Sequence, residues 1–250
     1  MNPNVIILTS GLSGSSVLTG LIAGAGYWTG DLTHKKPQYD TFENEELIEL
    51  DLRLLRDAGY VGNYLIEFSQ QAVDAVHAYY GRADHHAYQV FAKKCERHCP
   101  WIWKDPRLWL TIRFWKNFIP LKNCRFILLT RDPMQTWVSQ TLRRQITTYR
   151  YSRSYEQSIQ ASVLQFFQEN SLPYLRVRYE NLIVRPAETI RGLNDFLSTN
   201  LTVEDLNAVY HKPLYKSPRS SLVKQLKAAA IYLKNYSERL DLTAERKPGI

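Results

Sequence analysis

The first apolar run, Val5-Ile6-Ile7-Leu8, is short and β-branched, which predicts a buried strand. It breaks into Thr9-Ser10-Gly11-Leu12-Ser13-Gly14-Ser15-Ser16, a turn carrying two glycines and four serines. Val17, Leu18, Leu21, Ile22 and Ala25 then recur at the spacing of one helix face. A polar, turn-rich run from Gly30 to Pro37 follows. Helical spacing returns at Leu47, Leu50, Leu54, Leu55 and Ala58, and again across Tyr64, Leu65, Phe68, Ala72, Val73 and Val76. Trp101-Ile102-Trp103 predicts a second strand, stopped at Lys104-Asp105-Pro106-Arg107 by a proline that cannot continue the ladder. Cys124 to Thr130 predicts a third, ended by Arg131-Asp132-Pro133. Ser154 with Gln157 has the form of a capping box, for a helix with Ile159, Val163, Phe166 and Phe167 on one face. Leu175 to Tyr179 predicts a fourth strand, and Pro186 opens a helix bearing Ile190, Leu193 and Leu197. A basic tail helix is expected over about 221–240.

Alternation of strands and helices, without repeats or low-complexity tracts, predicts an α/β fold: a central, mainly parallel sheet flanked by helices in three layers. A chain of 250 residues fits one such domain over 1–250, with acceptor-side helices in about 31–100. In such sheets ligands gather beyond the carboxyl ends of the strands. Four polar segments should therefore converge: Ser10 to Ser16, Lys104 to Arg107, Arg131 to Ser139, and Tyr179-Glu180-Asn181.

Composition narrows the choice. At 44% hydrophobic and 12% aromatic the chain is globular rather than disordered. A net charge of +8 and pI near 9.3 favour an acidic ligand, nucleic acid or an anionic surface, and no nucleic-acid recognition motif is present. The N-terminus has no basic leader, and no apolar stretch approaches membrane-spanning length, so a cytoplasmic protein without a transmembrane segment is expected. Cys95, Cys99 and Cys124 are an odd number, read as reduced thiols. His98 between the first two lacks a second ligand pair, so no metal is expected.

The glycine-rich turn before a helix N-terminus is an anion site in outline. Gly11 and Gly14 let the backbone close around a phosphate, and Ser13, Ser15 and Ser16 add hydroxyls. No Lys follows Gly14, so the Walker pattern is not met, which argues against an ATP- or GTP-driven enzyme. Arg131 at a strand end with Ser139 two helical turns on suits a second phosphate. Other readings stand beside these. Arg131 could pair with Asp132, Tyr179 could be core, and Lys104 could be a surface lysine.

Several of these residues carry a family resemblance. Ser13-Gly14-Ser15-Ser16 is similar to the turn that grips the 5'-phosphosulfate of 3'-phosphoadenosine 5'-phosphosulfate (PAPS) in sulfotransferases. Arg131-Asp132-Pro133 with Ser139 resembles that family's 3'-phosphate element. Arg178-Tyr179-Glu180-Asn181-Leu182 resembles the stretch whose Tyr lies near the adenine, and Lys104-Asp105-Pro106 a Lys-Asp-Pro element of some members. The matches run in family order from about Val5 to Leu197. The resemblance implies a P-loop-like fold, PAPS as donor, 3',5'-bisphosphoadenosine as product, no metal, and transfer of a sulfuryl group to a hydroxyl acceptor by in-line displacement. It implies cofactor contacts from Ser13, Gly14, Ser15, Ser16, Arg131, Ser139 and Tyr179. Arg219, in the basic loop Lys216-Ser217-Pro218-Arg219, is a further candidate for the 3'-phosphate.

One departure matters. Most members carry Lys or Arg before the Ser-Gly pair, where this chain has Leu12. Transfer through a loose transition state rests on placed positive charge, and Lys104 is the expected substitute, directed at the bridging oxygen of the leaving group. The base candidates are Asp31, His34, Asp40 and Glu43. Thr41-Phe42-Glu43-Asn44 resembles a segment of bacterial members and favours Glu43, whereas His34 has the better intrinsic pKa. Arg143, Arg144, Arg150 and Arg153, interleaved with Tyr149, Tyr151 and Tyr155, form a candidate acceptor lid. The acceptor (carbohydrate, lipid, peptide or small alcohol) and the oligomeric state are not readable. A nucleotide-binding protein that has lost transfer is the alternative, and a P-loop phosphotransferase a more remote one.

Overall fold

The computed structural model describes residues 2–210 and 220–241. β1 (Asn4–Leu8) leads through the glycine-rich turn into α1 (Ser15–Ala23). A hairpin of β2 (Thr33–Lys36) and β3 (Tyr39–Asn44) precedes α2 (Glu45–Asp57), α3 (Gln70–Ala78) and α4 (His86–Arg97). β4 (Ile102–Lys104) is followed by α5 (Leu108–Trp115), and β5 (Cys124–Thr130) by α6 (Pro133–Leu142) and α7 (Tyr149–Glu169). β6 (Tyr174–Arg178) leads to α8 (Asn181–Val184), α9 (Pro186–Leu197), α10 (Val203–Val209) and α11 (Leu222–Lys234).

β4, β1, β5 and β6 form one sheet in that order, with every neighbour parallel. Successive side chains along a strand face opposite sides, and both sides are apolar here. Ile6, Leu8, Trp103, Phe126 and Leu128 join one core with α2, α3, α4, α5 and α7. Val5, Ile7, Ile102, Ile127 and Leu129 join a second with α1, α8, α9 and α10. The result is the expected three-layer α/β architecture. The chain leaves β1 for β4 on one side and then crosses to β5 on the other. The turn after β1 thus sits where the strand order reverses, the place at which such sheets open a crevice.

Several local expectations are corrected. The turn-rich run Gly30 to Pro37 contains the first strand of a hairpin, Thr33–Lys36, turned at Pro37-Gln38 and tied by Thr33 Oγ1 donating to Asp40 Oδ2 at 2.6 Å. α3 begins only at Gln70, because Ser69 caps it by accepting the Ala72 amide, and Tyr64 and Leu65 stay in the preceding turn. α7 begins at Tyr149, capped by Thr148, so Ser154 and Gln157 lie inside the helix and cap nothing. α5 was not anticipated. All eight residues of α5 are buried, which erases the one-sided stripe that reveals a helix.

Candidate active site

A cavity of about 590 Å³ opens beyond the carboxyl ends of the strands, within the range of about 300–1,000 Å³ usual for small-molecule sites. Its floor is the turn after β1 and the start of α1; the hairpin, the Tyr64 turn, Pro106-Arg107, Arg131, Ser139 and Tyr179 form its walls. Among the described residues lining it, Lys36, Arg107, Arg131 and Arg143 stand against one carboxylate, Glu43. The charged groups on its lining are mostly cationic.

The turn owes its shape to three residues in the left-handed region, Gly11 (φ 80°), Leu12 (φ 49°) and Gly14 (φ 81°). Gly14 is the N-cap of α1, where no side chain caps the helix and no acid occupies the first turn. The amides of Ser15 and Ser16 have no intrahelical acceptor, and they lie at the positive end of the helix dipole. Both residues face the cavity, as Gly14 does. Gly14 has a second reason to be glycine: a Cβ there would sit 2.2 Å from the Tyr179 ring. Ser13 is placed differently. It is buried, and its hydroxyl accepts from Thr9 Oγ1 at 2.5 Å instead of facing the cavity.

Arg131, at the end of β5, ties this turn to the next helix. Its Nη1 donates to the Leu12 carbonyl at 2.8 Å and to Ser139 Oγ at 3.3 Å, and its guanidinium lies 5.2 Å from the centre of the Tyr179 ring. Asp132 does not take that charge. It caps α6 through the amides of Met134 and Gln135, and faces Arg178 at 3.5 Å. Ser139 and Arg143 follow on the same helix face, and Arg143 Nη1 donates to the Ser139 carbonyl at 3.1 Å.

At the opposite wall, Lys104 is 1% exposed at the end of β4, and its Nζ donates to Glu43 Oε1 at 2.5 Å. Glu43 reaches it from β3, where Phe42 adopts a left-handed conformation (φ 57°). The Phe42 ring packs on α1 so closely that a Cβ on Gly20 would lie 2.6 Å from it. Glu43 lines the cavity and Lys104 does not, so the ammonium stands behind the carboxylate.

The remaining base candidates separate. His34 lines the cavity from β2. Asp40 is engaged within the hairpin, by Thr33 and by the Phe42 amide at 2.7 Å. Asp31 pairs with Lys94 at 2.8 Å on α4, and that hydrogen bond holds its carboxyl below the usual range. Neither Asp31 nor Asp40 lines the cavity. Arg107 does. Its Nη1 donates to buried Asp105 at 2.7 Å, and its Nη2 to Tyr64 Oη at 2.9 Å. Arg144, Arg150 and Arg153 are exposed and lie outside the lining, and Arg219 falls outside the described residues.

Sequence reasoning overlooked Glu156. It is buried on α7 behind the turn, accepting from Ser10 Oγ at 3.4 Å, and burial pushes its carboxyl up to about 7. The signal was present: Glu156 falls three and seven residues before Ile159 and Val163, on the apolar face. No group of three or more His, Cys, Asp or Glu among the described residues is arranged to hold a metal ion. None of the described helices is long and apolar enough to cross a membrane.

A family model described as the sulfotransferase family matches residues 3–204. Among solved structures, the fold is similar to the sulfotransferase domain of the Synechococcus PCC 7002 olefin synthase, at 20% identity and TM-score 0.55, covering 96% of both chains. It is also similar to the sulfotransferase domain of the curacin biosynthetic pathway, at 17% identity and TM-score 0.52, covering 88% of this chain and 81% of that one. No curated protein matches the chain.

Proposed function

The chain belongs to the sulfotransferase family, and from that premise we propose that it transfers a sulfuryl group from PAPS to a hydroxyl acceptor. The observation carrying this reading is the joint between the glycine-rich turn and Arg131. An uncapped helix N-terminus and a guanidinium meet at Leu12, beside a cavity whose lining is rich in cations. These residues fit a nucleotide with anions at both ends. Gly14, Ser15 and Ser16 would hold the 5' end, Arg131 and Ser139 the 3'-phosphate, with Tyr179 against the turn. When bound, the donor supplies an electrophilic sulfuryl group with the bisphosphate as leaving group.

The chain's own work is binding, alignment and proton movement. Glu43 presents a carboxylate to the cavity and is the base for the acceptor proton. Lys104 holds that carboxylate in place from behind, so it acts on the acceptor through Glu43. The positive charge that Leu12 does not provide comes from the α1 amides, at the positive end of the helix dipole, which can act on charge developing toward the leaving group.

The test is transfer of labelled sulfate from PAPS to a panel of hydroxyl compounds without added metal, alongside thermal shift with 3',5'-bisphosphoadenosine and with ATP–Mg²⁺. Stabilisation by the bisphosphate alone, together with transfer, is expected. Bisphosphate binding without transfer would support the non-catalytic alternative, and stabilisation by ATP–Mg²⁺ alone would overturn the reading. Glu43→Gln and Lys104→Ala should each lower kcat by about two to three orders of magnitude while leaving bisphosphate binding intact. A pH–rate profile that changes with His34→Asn and not with Glu43→Gln would move the base to His34.

A further inference from the structure

The outward side of α11 is apolar. Ala228 is fully buried toward the body, and α6 meets the helix through Trp137 against Tyr232 at 5.5 Å. Leu222, Val223, Leu226 and Leu233 are each 70–76% exposed, and Ala229 and Ala230 are exposed with them. Positions 222, 226, 229, 230 and 233 recur on one stripe of an α-helix, roughly opposite Ala228. Globular proteins seldom leave several leucines on one stripe to water without a partner for them.

The residues beside the stripe define that partner. Lys224, Lys227 and Lys234 belong to the same helix, which contains no acid, and Lys227 and Lys234 are exposed. Tyr232 packs edge-on to Tyr236 at 5.6 Å, and Trp137 edge-on to Tyr149 at 6.5 Å. Tyr236 and Tyr149 are partly exposed, and the Arg239 guanidinium lies over the Tyr236 ring. Leucines facing outward, lysines on the flank and tyrosines at the border are what a helix lying in a lipid headgroup layer requires. Lysine stems can run along apolar surface while their ammonium groups reach phosphates. A second copy of the chain fits less well, because a seam between two α11 helices would gather the lysines of both.

We propose that α11 docks the protein on an anionic lipid bilayer surface, with Leu222, Leu226 and Leu233 inserted and Lys227 and Lys234 on the headgroups. This rests on the α11 surface alone and stands whether or not the active-site reading does. The experiment is flotation of the full chain with phosphatidylcholine vesicles, with and without about 30% phosphatidylglycerol. Partition should be at least about tenfold stronger with the anionic lipid, and should weaken at about 1 M salt, where screening acts over ~3 Å.

Leu226→Ser with Leu233→Ser should weaken partition at least about tenfold, with the unfolding midpoint unchanged because both side chains are exposed. Lys227→Glu with Lys234→Glu should remove the preference for anionic vesicles. Equal partition to both vesicle types, or variants that bind as the wild type does, would overturn the proposal. So would a self-associated species in sedimentation that Leu226→Glu dissolves, which would assign the face to a second copy.

Discussion

At the scale of single residues, the site depends on charges kept out of water. Lys104 is buried with Glu43 as its counter-charge, and removing the carboxylate would leave the ammonium desolvated and unpaired. Glu156 is the opposite case, a buried carboxyl whose hydrogen bond from Ser10 is long and whose proton is retained to about 7. Unfolded, the same group ionises near its ordinary value of 4.5. Between those two pH values the folded chain holds the extra proton, so stability falls as pH rises, by about 3 kcal/mol in all, and levels off above about 7. Glu156→Gln keeps the neutral shape and should lose that fall. Denaturant unfolding at pH 5 should find the two proteins similar, and at pH 7.5 the variant more stable. Parallel curves for the two would contradict this. Asp51 and Asp105, whose carboxyls burial also raises, are common to both proteins and cancel in the comparison.

At the scale of elements, the turn after β1 does the organising, and Gly14 is its most constrained position. Alanine there meets two obstacles, a φ of 81° and the Tyr179 ring 2.2 Å from the new Cβ. Gly26 has a similar φ of 89° with nothing within 4 Å of a Cβ, so Gly26→Ala isolates the backbone cost, about 1–2 kcal/mol. Gly14→Ala should destabilise clearly more than Gly26→Ala in the same unfolding experiment; equal losses would mean Tyr179 is not seated on the turn. This element was readable because its signals are local: a β-branched run, two glycines, then a helical stripe. The hairpin was not, because its strands are short and polar, and its pairing depends on Thr33, Asp40 and the left-handed Phe42. Glu43 could be named from the sequence, but its contact with Lys104, 61 positions away, could not. For the same reason Ser13 could be named but not aimed.

At the scale of the whole molecule, alternation of strand and helix was enough to anticipate a parallel sheet covered on both faces, and the polar strand ends were enough to anticipate that these segments converge, as they do on one cavity. Which cation meets which anion was not legible, since Arg131 joins Leu12 across 119 positions and only the fold closes that distance. Among the described residues, Lys and Arg gather at the cavity lining and on the flank of α11. The two proposals assign the first to a small anion and the second to an anionic surface. The central claim is that Arg131 reads the 3'-phosphate of a nucleotide held by the turn. Calorimetric titration of wild type and Arg131→Ala with 3',5'-bisphosphoadenosine and with 5'-AMP tests it as a cycle. Removing the residue or the phosphate should each weaken binding by about 1.5–3 kcal/mol, and removing both should cost little more than either alone. If Arg131→Ala weakens 5'-AMP as much as it weakens the bisphosphate, Arg131 serves only to hold the turn, and the account is wrong.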